Sequence, residues 1–62
     1  MIEPGQIYDG SFNFRYIVIC PRKDDADIDG SWWAFFFSLD DESTLRLTWL
    51  WNESFEGMTR LL

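Results

Sequence analysis

Asp25, Asp27 and Asp29 alternate along one stretch and are followed by Gly30, a spacing that suits a cation. In an EF-hand calcium loop, oxygens at positions one, three and five converge on the ion, and glycine at position six permits the sharp turn. The match ends there. Position twelve would be Phe36 in place of a bidentate glutamate, and no helix is predicted on either side, so an EF-hand is excluded. Two expectations remain for Asp25, Asp27 and Asp29. One is a Ca2+ site between strands, completed by backbone carbonyls, water, or Glu53 or Glu56. The other, and the simpler, is a solvated acidic turn whose Asp and Gly residues serve turn geometry, with no cofactor at all. Asp24/Asp25 and Asp40/Asp41 are neighbouring carboxylates, but in exposed loops nothing separates their pKa values for acid–base work. The chain has no histidine, which removes Ser-His and Cys-His nucleophiles and the commonest general base. Cys20 is the only cysteine, so neither an internal disulfide nor a Cys-held metal is available, and its place at the end of an apolar strand predicts a small buried hydrophobe. The sequence is therefore not expected to encode an enzyme.

The elements that position these groups follow from the apolar residues. Gln6 to Tyr8 is a short extended stretch stopped by Asp9-Gly10. Phe12 to Cys20 is dense in aromatic and β-branched residues and closed by Pro21, which predicts a second strand. Arg22 to Gly30 is nearly devoid of apolar residues and reads as a long exposed loop. Ser31 to Leu39 is a third strand, Asp40 to Ser43 a hairpin connection, and Thr44 to Trp51 alternates with a period of two as a fourth. Asn52 to Gly57 predicts a turn or single helical turn, and Met58 to Leu62 a closing strand. With 62 residues, the chain is expected to form one small all-β domain spanning 1–62, a five-stranded antiparallel meander.

That strand order, the Pro4-Gly5-Gln6-Ile7-Tyr8 opening and the Asn52–Gly57 connector together resemble the SH3-like small barrels. The resemblance spans nearly the whole chain and implies a fold, with an OB-like barrel or an open antiparallel sheet as alternatives. It implies no activity: peptide-binding SH3 domains carry an Ala-Leu-Tyr-Asp-Tyr stretch that is absent here.

Twelve of the 62 residues are Phe, Trp or Tyr, more than a core of this size requires on one side of each strand. In strand four, Leu45, Leu47, Trp49 and Trp51 share one face and are expected to form the core. Thr44, Arg46, Thr48 and Leu50 share the other. Strand three carries Trp33, Phe35, Phe37 and Leu39 on one face but also Trp32, Ala34, Phe36 and Ser38 on its opposite. Trp32 and Phe36, with Arg46 and Thr48 across the hairpin, are thus the candidate partner-binding patch, rimmed by Asp40, Asp41 and Glu42. A bent barrel strand that hands both faces to the core is the bland alternative.

Eleven acidic against five basic residues give a net charge of −6, which opposes nucleic acid and anionic membranes even though exposed aromatics with Arg15 and Arg46 are of the types that stack bases. A protein partner, including one with a basic surface, or a second copy of the chain is expected instead. No apolar run reaches the roughly 18 to 20 residues of a membrane span, and the N-terminus lacks a signal peptide's basic and apolar regions, so the expected compartment is cytoplasmic. The expected role is a small acidic protein-binding module, a modulator, inhibitor or minor subunit of a larger assembly, of a kind suited to a phage or an accessory bacterial protein. A calcium-stabilised domain is the alternative.

Overall fold

Residues 2–22 and 30–62 are described by the computed structural model. Pro4-Gly5 makes the first turn, with Gly5 at φ 87°, a left-handed value that suits a residue lacking Cβ. The Gly5 amide donates to the Val18 carbonyl (2.8 Å) and the Val18 amide to the Gln6 carbonyl (2.9 Å), which launches β1 (Ile7–Asp9) alongside β2 (Phe14–Pro21). Between them Phe12 and Asn13 also sit at φ 60°, so β2 begins two residues later than the apolar run at Phe12 suggests. Asn tolerates this backbone; for a bulky side chain such as Phe12 it is strained.

β3 (Ser31–Ser38) and β4 (Asp41–Trp51) form the longest hairpin, joined through Leu39 and Asp40. β4 starts earlier than its alternating segment because Asp41 still pairs with Ser38; residues 42–45 then face Phe37 alone. Thr44 satisfies this bulge, its hydroxyl accepting from the Ser38 amide (2.8 Å) and donating to the Asp41 carbonyl (2.7 Å). Asn52–Glu56 forms the single helical turn α1, and β5 (Thr59–Arg60) follows.

All pairings are antiparallel, in the order β4-β3-β2-β1-β5. The fold is all-β, as the sequence predicts, but the sheet stays open and is not a closed barrel. β5 explains this: its two residues pair with β1 at Tyr8/Arg60 and Asp9/Thr59, and among the described residues no ladder joins β5 to β4. No helix among the described residues is long and apolar enough to cross a membrane.

One side of the sheet is covered. Tyr8 and Val18 from the sheet and Phe55 from α1 form a buried cluster, flanked by Ile2, Tyr16, Trp32, Leu50 and Met58. The Tyr8 and Phe55 rings meet at 5.0 Å. Ala34, between Val18 and Thr48 in the register, is fully buried on this same side. A helix of five residues has little stability of its own, so α1 depends on this burial.

The faces are therefore the reverse of those expected from the alternation in β4. Leu45, Leu47, Trp49 and Trp51 lie outside the core, exposed. Tyr8, Val18 and Ala34 hold the interior on the other side. The physical reason is cover: among the described residues α1 is the one α-helix that lies over a face, and it packs where Phe55 meets Tyr8 and Val18.

Candidate functional site

The uncovered face is built by register. Opposite Ile7 on β1 is Ile17 on β2, opposite Ile17 is Phe35 on β3, and opposite Phe35 is Leu47 on β4. On the far side the Leu61 amide donates to the Ile7 carbonyl (2.7 Å), which continues the row past β1. A single apolar row thus crosses the sheet from edge to edge. Beside it, Cys20, Trp33 and Trp49 form a second row, where a bulge between Val18 and Cys20 sets two β2 residues against Trp33. Leu47 is 57% exposed, Leu45 52%, Leu61 48%, Trp51 45%, Phe35 41% and Trp49 37%. Monomeric proteins seldom leave so many large apolar side chains bare on one contiguous surface. Cys20 is exposed too, which corrects the expectation that it is buried; the bulge turns it toward the open face.

Among the described residues, the charges on this face are few and engaged. Arg15 grips Asp9 through Nε (2.7 Å) and Nη2 (3.1 Å), a forked ion pair between cross-strand neighbours. Its hydrogen bonds hold the Asp9 carboxyl below its ordinary pKa and raise that of Arg15. The Arg22 guanidinium lies 4.3 Å from the Trp49 ring centre and 5.6 Å from that of Trp33, a cation–π arrangement. Trp49 and Trp51 meet edge to face at 5.2 Å. Trp and Arg anchors within an apolar surface are the composition of binding hot spots.

Trp32, Phe36, Arg46 and Thr48 do come together on one face, with Arg46 opposite Phe36 and Thr48 opposite Ala34. That face is the covered one. Trp32 is half-buried against the core, and its indole donates to Asn52 Oδ1 (2.7 Å) at a cleft of about 410 Å³ lined by Ile2, Tyr8, Asn52, Phe55 and Glu56. Phe36 is half-buried, stacked on Tyr16 and edge-on to Phe14, each at 5.7 Å. Arg46 is exposed, and Thr48 is half-buried. Asp40, Asp41 and Glu42 are exposed at the β3–β4 hairpin end. There the Ser43 hydroxyl (2.6 Å) and amide (3.0 Å) donate to Asp41 Oδ1 and lower its pKa. Asp25, Asp27 and Asp29 lie outside the described residues. Among the described residues no group of three His, Cys, Asp or Glu side chains gathers to hold a metal.

The side chains of the bare face were assigned to the core by sequence. The signal that points the other way is Ala34: a small residue set between the large Trp32 and Phe36 on the same face of β3 marks the side where packing is tight.

Comparison with protein-family models, with curated proteins and with solved structures returns no match.

Proposed function

We propose that this chain is a small protein-binding module, a modulator or minor subunit that works by association through the bare face of its sheet. The observation that carries this is the apolar row Leu61, Ile7, Ile17, Phe35 and Leu47 with the exposed Trp49 and Trp51 beside it. Burying such a surface removes apolar area from water at about 25 cal/mol per Å², the main favourable term in association. This face is favoured over the Trp32 and Phe36 patch because those two rings already have partners within the fold. The acidic hairpin end at Asp40, Asp41 and Glu42 would set approach and orientation more than affinity. The strand order supports the likeness to the SH3-like group, from which the open sheet departs.

Site-specific photo-crosslinking in the source cell tests the surface. Benzoylphenylalanine placed at Leu47 is expected to form protein adducts, and the same group at Arg46, one residue along but on the opposite face, to form few. Adducts from position 46 alone, or none from 47, would remove the proposal.

A further inference from the structure

We infer that the occupant of the bare face is a second copy of this chain, the two sheets packing face to face about a two-fold axis. This rests on the preceding proposal that the bare face is the binding surface. Three observations select a second copy.

The first is size. β3 and β4 pair from Ser31/Trp51 to Ser38/Asp41, so the eight residues of β3 at about 3.3 Å each give the sheet a length of roughly 26 Å, and five strands about 4.8 Å apart give it a width of roughly 20 Å. That outline encloses roughly 500 Å² before the relief of its Leu, Phe and Trp side chains is counted, about what each partner contributes at the small end of specific interfaces. The exposed apolar side chains are distributed across it, from Leu61 beside one edge to Leu47 at the other. A short peptide would cover one row and leave the rest wet.

The second is charge. The chain carries −6, yet among the described residues this face shows the paired Asp9 and Arg15 and the Arg22 guanidinium over Trp49. The exposed carboxylates Asp40, Asp41 and Glu42 stand at the hairpin end, and Glu53 and Glu56 belong to α1 on the opposite side. A basic partner would find its complement there and not on the bare face. A second copy meets a surface as apolar as its own while both sets of carboxylates stay in water.

The third is geometry. Two twisted sheets stack about 10 Å apart with their strands within about 30°, interleaving side chains of the length of Leu, Phe and Trp. An isologous contact asks for a surface complementary to itself, and an apolar row crossing the whole sheet meets itself under a two-fold axis lying between the layers. The result is a sandwich with one α1 on each outer side.

Sedimentation velocity of the full chain over a concentration series tests this, with Leu47→Asp on the bare face and Arg46→Glu on the covered one. Arg46→Glu adds more negative charge than Leu47→Asp, so it controls for simple repulsion. The wild type and Arg46→Glu are expected to be dimers at micromolar concentration, and Leu47→Asp to dissociate at least about 100-fold more readily. Trp51→Lys is the second variant, for use if circular dichroism shows that Leu47→Asp is unfolded, and is expected to weaken the dimer in the same direction. A wild type still monomeric at about 100 μM overturns the second copy while leaving the surface itself to the crosslinks at position 47. A dimer that survives both Leu47→Asp and Trp51→Lys overturns the copy and the surface together.

Discussion

Phe55→Ala is expected to cost about 3 to 5 kcal/mol, a large fraction of the whole stability of the protein. At about 0.05 to 0.15 kcal/mol per residue, a chain of this length has only roughly 3 to 9 kcal/mol to lose. Phe55 is 3% exposed, the one buried residue of α1, and its ring rests against Tyr8. Removing it withdraws the contact that pins α1 to the covered face. The helix has no side-chain cap at its start and too few residues to persist without that anchor. In urea titration followed by circular dichroism, the unfolding midpoint should fall toward zero denaturant, whereas Phe55→Leu, which keeps most of the volume, should fall much less. A midpoint for Phe55→Ala within about 1 kcal/mol of wild type would show that the covered face is held by something other than α1.

The second large effect is a contrast between two identical changes. Val18→Asp and Leu47→Asp each put a carboxylate in place of a branched apolar residue, one on each side of the sheet. Val18 is 2% exposed, in a central strand between the Gly5–Gln6 backbone and Ala34, so the new charge has neither water nor a cationic partner. An uncompensated buried charge costs about 3 to 5 kcal/mol, and Val18→Asp is expected to be largely unfolded at neutral pH. Leu47 is 57% exposed, and Leu47→Asp in dilute solution is expected to keep the wild-type circular dichroism spectrum and to change stability by less than about 1 kcal/mol. Had the alternation in β4 marked the core, the two variants would exchange behaviours. Thermal melts at submicromolar concentration separate the alternatives, since dilution removes any contribution from association.

Much of the strand layout was legible because the punctuation is local. Asp9-Gly10 and Pro21 stand at the ends of β1 and β2, and the polar run that begins at Asp40 starts where β3 turns into β4, so strands, hairpin and helical turn fall close to where one or two residues place them. Their exact ends were less so. The left-handed pair Phe12 and Asn13 depends on tertiary contacts, including the Leu39 amide donating to the Asn13 carbonyl (2.8 Å). The long bulge in β4 depends on how Thr44 bonds across to Ser38, which no period-two pattern records.

The faces were misread for a deeper reason. A period of two says that Leu45, Leu47, Trp49 and Trp51 point one way, which they do; it does not say which way has cover. Apolar residues mark a core only when something in the chain lies over them, and among the described residues a single α-helical turn does so. The polar residues Thr44, Arg46 and Thr48 suggested solvent, but β4 is an edge strand, so its covered face is only partly closed and tolerates them. Closure of the sheet was likewise beyond local reading, because it turns on β5 being two residues long.

The central claim is that the two sides of this sheet are unlike, and that the apolar side is open in the lone chain and buried on association. Hydroxyl-radical footprinting of the wild-type protein at high dilution and at about 100 μM, read by mass spectrometry, tests both halves at once. Leu47, Trp49 and Trp51 are expected to oxidise readily when dilute and to be protected several-fold when concentrated, while Phe12, 90% exposed at the β1–β2 turn, stays reactive in both and Phe55 unreactive in both. Leu47 and Trp49 protected even at the highest dilution would place them in the core of the single chain, and equal reactivity at both concentrations would show that no second copy covers them; either result contradicts the account.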